Sequence, residues 1–449
     1  MPFHPRPRRL TQLALTVALL ALVAACGRSY PDSVFHHRTD VNRDVDFLFK
    51  ILIYAGTAVF IVVEGILVFT LFKFRQRPGQ PEPEHVHGNT TLEIAWTVIP
   101  LVILIGIGIP TVRTIFKQQA TARSDALQVE VVGHQWWWEF RYPQYTVRSA
   151  AGKLDTVVTA NELYLPIGKT VNFTLHSKDV IHSFWAPALA GKRDVITNHT
   201  NYLWYTPDST GAQAFNGACA EYCGTSHGNM RFKVFTVERA DFDSWIAHQE
   251  QPAGGPVSPA GAILADSAAK MSAASGKAGI GAPPSPAGVG APPSPGGGVH
   301  TQVMQAGFIA FPRDKIPAYA VPETPLPQKL AFDDNVLARG SAANGAKLVS
   351  TGMCIACHTI RGVPSMQAVV GPNLTHIGSR TTIAAGLYPN DPRHLARWIK
   401  NANAMKAGVI MPTFGLGEYD PVTLKGPVKL GGFTDQQIAD IVAYLSSLK

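Results

Sequence analysis

Charge is what this chain has least of. Asp, Glu, Lys and Arg make up 16% of its 449 residues, against 46% hydrophobic ones. That is lean for a protein with an all-aqueous surface. There is no run of Lys or Arg and no nucleic-acid motif, so the formal charge of +8 does not signal nucleic-acid binding. Cysteine is scarce too, with five residues: Cys26, Cys219, Cys223, Cys354 and Cys357. A disulfide framework is excluded, because each of them sits inside its own chemical signature. The length leaves room for two or three domains.

The apolar residues cluster in three runs near the N-terminus. Residues 1–25 open with Arg6, Arg8 and Arg9, continue with an apolar Leu13–Ala25, and meet Cys26-Gly27. This is the tripartite pattern of an export signal, and Cys at the cleavage point resembles a lipoprotein signal, which expects Cys26 as a lipid anchor. Two apolar runs follow. Residues 51–72 carry one charge, Glu64, and residues 94–112 carry none. At about 1.5 Å per residue each can cross a hydrocarbon core of about 30 Å. Lys73, Arg75 and Arg77 between them put the connecting loop in the cytoplasm, so the N-terminus and everything after residue 115 face outward. Glu64 is an intramembrane carboxylate, either functional or a helix-packing group.

Residues 121–248 change character. Short β-branched or alternating runs, such as Thr170–Leu175 and Phe232–Val237, are separated by turn residues. This pattern expects a small all-β sandwich or barrel. Residues 249–331 are rich in Ala, Gly, Pro and Ser, with APPSP at Ala282 and again at Ala291. That composition expects a linker, which as a flexible coil spans roughly 50 Å. Residues 332–449 expect helices. Thr434 to Gln437 form a capping box, and Ile438, Ile441, Val442 and Leu445 share one face beyond it.

Two motifs carry the chemistry. In CAEYCGTSHGNM, Cys219 and Cys223 are followed by His227 and Met230, and one loop can wrap all four around a small centre. Thiolate and imidazole suit copper. A further strong donor should come from a distant strand, and His182 in DVIHSFWAP ends an apolar stretch upstream. Zinc also fits two Cys and two His but has no use for Met230. In CIACH, Cys354, Cys357 and His358 form the attachment signature of a c-type haem, with two thiols for thioethers and an imidazole for the iron. A Met should complete the iron, which raises its potential. Met366, Met405 and Met411 are the candidates. Met411 is followed by Pro412 and fits best, with Met405 next.

The whole copper run closely resembles the CuA site of cytochrome c oxidase subunit II. The resemblance extends to TLEIAWTVIP (Thr91–Pro100) and GHQWWWEF (Gly133–Phe140), although that family usually has Tyr at Trp137. Together with CIACH and Gly371–Leu374 it matches the caa-type oxidases, whose subunit II carries a fused cytochrome c. It implies a transmembrane helical hairpin (26–120), a cupredoxin-like Greek-key sandwich (121–248) and an all-α class I cytochrome c domain (332–449). Cys219 and Cys223 are implied as bridges between two coppers, with His182 and His227 as terminal ligands. Met230 and the Glu221 carbonyl are implied as axial ligands, and the Glu221 side chain as a ligand to a magnesium shared with subunit I. Trp136 is implied as the port for incoming electrons, and Glu93 as the mouth of a proton channel. Helix-start and core-packing roles remain open for these last two. The implied partners are subunit I, subunit III, an external cytochrome or other donor, and a bacterial inner membrane with both redox domains on its periplasmic side.

Oxygen chemistry is not expected in this chain, which has no second set of histidines for it. The competing reading is a stand-alone membrane-tethered carrier, which needs only one anchor rather than two spans. Charge adds one more expectation. Residues 332–449 hold 11 Lys/Arg against 7 Asp/Glu, and residues 125–248 hold 10 against 12. Opposite charges on a long tether predict loose, repeatable docking of the haem domain on the copper domain.

Overall fold

The structure is a computed structural model. It describes residues 16–18, 20–21, 33–35, 37–75, 77–80, 87–119, 124–148, 154–208, 211–254, 307–421 and 424–449. Cys26 lies outside the described residues, as do residues 255–306 with both APPSP repeats. The chain divides into two units: residues 1–117 with 186–191, and the remainder.

The first unit is built on two long helices, α1 (Asp40–Lys73) and α2 (Thr90–Gln119). At 34 and 30 residues they run about 51 and 45 Å, longer than a hydrocarbon core. Thr39 caps α1 by accepting from Asn42 N at 3.0 Å. Asp40 sits in its first turn and Lys73 in its last, as the helix dipole favours. Arg38 N donates to Ala188 O at 2.9 Å and Asn42 Nδ2 to Pro187 O at 3.1 Å, so the start of α1 is held by residues 186–191. Glu64 lies within α1 and Glu93 in the first turn of α2. The apolar side chains of both helices are exposed over their spans, as a lipid or partner-covered surface requires.

The second unit begins with ten strands: β1 (Leu127–His134), β2 (Trp137–Arg148), β3 (Leu154–Ala160), β4 (Glu162–Pro166), β5 (Val171–Ser177), β6 (His182–Trp185), β7 (Arg193–Val195), β8 (Asn201–Tyr205), β9 (Gln213–Cys219) and β10 (Arg231–Val237). They form two sheets, ordered β3-β2-β1-β5-β8 and β4-β10-β9-β6-β7. Burial alternates strictly along β5, with Val171, Phe173, Leu175 and Ser177 inward. That is the period of two expected of a sandwich face. Trp138, Phe140, Phe184 and Phe232 fill the space between the sheets; Trp138 meets Phe232 edge-on at 5.6 Å and Phe184 stacks on Phe232 at 4.7 Å. Helix α3 (Arg239–Gln249) closes one end, with Trp245 stacked on Tyr164 at 4.4 Å.

Composition assigns residues 307–331 to the linker, yet their first half lies along the sandwich and Leu326 and Leu330 pack on the haem-domain core. Phe311 stacks on Phe235 at 4.8 Å, and its amide donates to Tyr164 Oη at 3.0 Å. Asn216 Nδ2 reaches Tyr319 O at 3.3 Å. A few aromatic anchors diluted among prolines make a strap, which averaged composition does not register.

The haem-motif domain comprises α4 (Ala342–Thr351), α5 (Pro392–Lys400), α6 (Ala402–Met405) and α7 (Asp435–Ser447). The capping box of α7 is formed, and Ile438, Ile441, Val442 and Leu445 are buried. This domain is packed onto the sandwich, against the expectation of loose docking. Net charge predicts attraction but says nothing of buried hydrogen bonds, and these dominate. The Glu162 carboxylate, 3% exposed, accepts from Thr381 N at 2.7 Å, Thr381 Oγ1 at 2.6 Å and Thr382 N at 3.0 Å. Burial raises its pKa, which these bonds only partly offset. Arg361 Nη1 donates to Gln249 O at 2.6 Å, and the strap's Arg313 donates to Asn390 O and Arg380 O, both at 2.8 Å. Glu162→Ala is expected to leave the Thr381 and Thr382 donors unsatisfied at a cost of about 1–3 kcal/mol. Hydrogen exchange at those amides should rise accordingly; unchanged protection would remove Glu162 as the latch.

Candidate metal and haem centres

Strand β9 ends on Cys219, and the loop after it carries Cys223 and His227 before β10 begins at Arg231. Antiparallel pairing of β6 with β9 sets Phe184 opposite Cys219, which brings His182 to the same end. The sulfurs of Cys219 and Cys223 are 3.7 Å apart. Cys219 Sγ lies 3.9 Å from His182 Nδ1, and Cys223 Sγ lies 3.6 Å from His227 Nδ1 and 3.9 Å from Met230 Sδ. The Glu221 carbonyl is 3.2 Å from Cys219 Sγ, while the Glu221 side chain is exposed. His182, Cys219 and Cys223 hold their donor atoms within 4.8 Å of one another, all buried. Gly133 makes room for the His182 ring, since a Cβ there would meet its Cδ2 at 2.7 Å.

The electrostatics suit a cation. The hydrogen bond with Cys223, helped by His182 and opposed by burial, draws the Cys219 thiol down to about 3. The same contact, with burial, pushes Cys223 far up. Two thiolates this close need a metal charge between them.

Asp179 was not singled out in the sequence, although it stands three residues before His182. Its Oδ1 takes His182 Nε2 at 2.8 Å, and its Oδ2 takes Gln135 N at 2.7 Å. The first bond puts the ring proton on Nε2 and turns Nδ1 to the sulfurs, an outer-shell arrangement that orients metal ligands. Burial works to raise the Asp179 pKa, but the bonds from His182, Gln135 and Val180 outweigh it and lower it. Asp179→Ala is expected to weaken copper retention about 10–100-fold. Competition with a copper chelator measures it, and wild-type retention would rule the role out.

The haem motif forms a tight turn, with His358 N donating to Cys354 O at 3.0 Å. His358 Nδ1 bonds Pro372 O at 2.8 Å, which leaves Nε2 as the free nitrogen. Burial lowers the His358 pKa, so the imidazole stays neutral, as an iron ligand must be. Gly371 is required beside it, because a Cβ would meet His358 Cε1 at 2.6 Å. A cavity of about 240 Å³ opens here, lined by Cys354, Cys357, His358, Trp398 and Met411 among others. Met366 and Met405 are buried in the domain core and are not among its lining residues. Tyr444 is also in the core rather than on the cavity wall. His376 is buried, and His394 bonds Asp391 at 2.7 Å, so both are packed histidines.

One wall of that cavity comes from the sandwich, through Gln135, Trp136, Trp137 and Asn161. Trp136 Nε1 donates to Cys223 O at 2.9 Å, and Gln135 Nε2 to the same oxygen at 2.8 Å. Trp137 stacks on His134 at 4.2 Å, and His134 bonds Glu139 at 3.1 Å.

Comparison with known proteins agrees with this layout. The family model for the periplasmic domain of cytochrome c oxidase subunit II matches residues 127–237, that for its transmembrane domain matches 38–114, and a cytochrome c model matches 342–449. Cytochrome c oxidase subunit 2 of Bacillus subtilis is 34% identical over 253 residues, covering 52% of this chain and 67% of the relative. The chain belongs to the cytochrome c oxidase subunit II family. The subunit 2 of Alkalihalophilus pseudofirmus is 28% identical over 397 residues, 87% of this chain and 83% of that one. The solved periplasmic domain of subunit II from Bradyrhizobium japonicum is 28% identical, aligned with 29% of this chain and 97% of its own at a TM-score of 0.24. As a subunit II chain with a C-terminal cytochrome c domain, it has domains that imply copper and haem, association with subunit I, and a membrane. The donor sets just described fit both groups.

Proposed function

We propose that this chain is the electron-accepting subunit of a haem-copper terminal oxidase. It takes electrons from an external donor at a c-type haem and delivers them through a binuclear copper centre to subunit I, which reduces oxygen to water and translocates protons. The observation that carries this reading is the position of Trp136, bonded to Cys223 O on one side and lining the haem cavity on the other. The bound groups supply one-electron chemistry. The rest is the work of the residues. Cys219, Cys223, His182 and His227, with Met230 and the Glu221 carbonyl, would hold the coppers. Burial of His182, Cys219, Cys223 and Met230 excludes water, and the Asp179 and Gln135 bonds fix the orientation. Cys354 and Cys357 would tether the haem, and His358 and Met411, which line the same cavity, would ligate its iron.

The remaining roles follow from the family and from the sequence. The exposed Glu221 carboxylate offers a magnesium ligand at the face toward subunit I. Glu93 stands at the mouth of a proton channel and Cys26 carries the lipid. The domains are the export signal (1–25), the membrane hairpin (26–120), the copper domain (121–248), the linker with its strap (249–331) and the haem domain (332–449). Subunit III completes the complex in a bacterial inner membrane, with both redox domains on the periplasmic side.

The absorption spectrum of the complex purified through this chain tests the proposal. Haem c, haem a and a near-infrared copper band are expected together. Haem c with neither of the other two would indicate a tethered carrier instead.

A further inference from the structure

Lys406 is 2% exposed and belongs to the haem domain. Its Nζ donates to Trp136 O at 2.5 Å and to Ala384 O at 3.4 Å, so both of its partners are carbonyls. A buried ammonium without a carboxylate partner is costly. Burial pulls its pKa down to about 7, while the Cys223 sulfur pulls it up and Arg231 pulls it down. A buried apolar side chain would avoid that cost, so the charge itself calls for a purpose.

Its surroundings point to one. Residues 406–408 lie directly on the copper loop: Ser226 Oγ donates to Ala407 O, and Gly408 lies against the Trp136 indole. A Cβ at Gly408, whose φ is +82°, would meet the Trp136 ring at 2.9 Å and Thr225 Cβ at 3.4 Å. Three residues further on, Met411 faces the haem cavity. Hydrogen bonds therefore run from Cys223 O to the Trp136 indole, and from the Trp136 carbonyl to Lys406, at the start of the segment that carries Met411.

We propose that Lys406 is a positioning residue for electron transfer between the haem and the copper pair, clamping Trp136 between them and favouring the reduced state of both with its charge. This rests on the copper and haem assignment proposed above. One electron leaves the haem iron and one arrives at the copper pair; no bond forms or breaks and no proton moves. Displacing the indole lengthens the gap, and removing the ammonium makes each centre harder to reduce.

The test uses the assembled oxidase with Lys406→Met and Lys406→Gln. In Lys406→Met, flash reduction should show the haem-to-copper step slowed about tenfold or more, while excess dithionite still reduces the haem fully. The haem c midpoint potential should fall, and hydrogen exchange of residues 407–411 should rise even in the copper-depleted complex. Lys406→Gln replaces the donor without the charge, so it should recover protection and part of the rate but keep the lowered potential. A wild-type rate and potential in Lys406→Met overturns the proposal. Should Lys406→Met fail to assemble, an unchanged potential in Lys406→Gln does the same. The absence of haem c or near-infrared copper bands from the wild-type complex would instead sink the underlying functional reading.

Discussion

Replacing Cys219 with Ser is expected to abolish the near-infrared copper absorption and stop electrons at the haem. Cys219 is the sulfur that both Cys223 and His182 approach, and it is the thiol most readily ionised at the site. A hydroxyl is a harder and far less acidic donor. Loss of an orienting group beyond the ligands costs roughly 10–100-fold in affinity, and loss of a bridging ligand should cost more than about 100-fold. The haem c spectrum should persist, because the CIACH turn packs through Cys354 on the helical core of the haem domain, away from the copper loop's own strands. Stopped-flow reduction then shows fast haem reduction with no onward transfer. A retained near-infrared band would refute the bridging assignment.

The second large effect is expected from Met411→His. The haem stays attached through its two thioethers, but an imidazole in place of a thioether favours ferric iron. The midpoint should fall by on the order of a hundred millivolts or more, given the range that axial ligands span. Redox titration of the isolated complex measures it. A shift produced by Met405→Leu and absent from Met411→His would transfer the axial role to Met405, which the fold puts in the core off the cavity wall.

The chemistry of this chain was legible where it is local. The Cys219–Met230 loop and the CIACH turn each gather their donors within a dozen residues, so spacing alone announces them. The long apolar runs and the capping box of α7 are legible for the same reason. Asp179 was within reach, because a carboxylate three residues before a candidate ligand histidine is a recognisable orienting group. Lys406 and Glu162 were not. Their partners lie 270 and 219 residues away, and nothing periodic or compositional links Lys406 to Trp136 or Glu162 to Thr381. The strap was hidden for a different reason. Its few aromatic side chains are diluted among prolines, yet Phe311 stacks on Phe235 and the Tyr319 carbonyl accepts from Asn216. Net charge misled because it ranks attractions at a distance, whereas the docked arrangement is decided by desolvated hydrogen bonds at contact.

The Glu162 latch has a consequence for the medium in which the enzyme turns over. A haem domain that swung on its tether would have to push through solvent between electrons, and its delivery rate would fall as glycerol or sucrose thickened the buffer. A domain held by buried hydrogen bonds to Thr381 and Thr382 makes no such excursion. Internal delivery should therefore be indifferent to viscosity, and all the drag should fall on the arrival and departure of the donor.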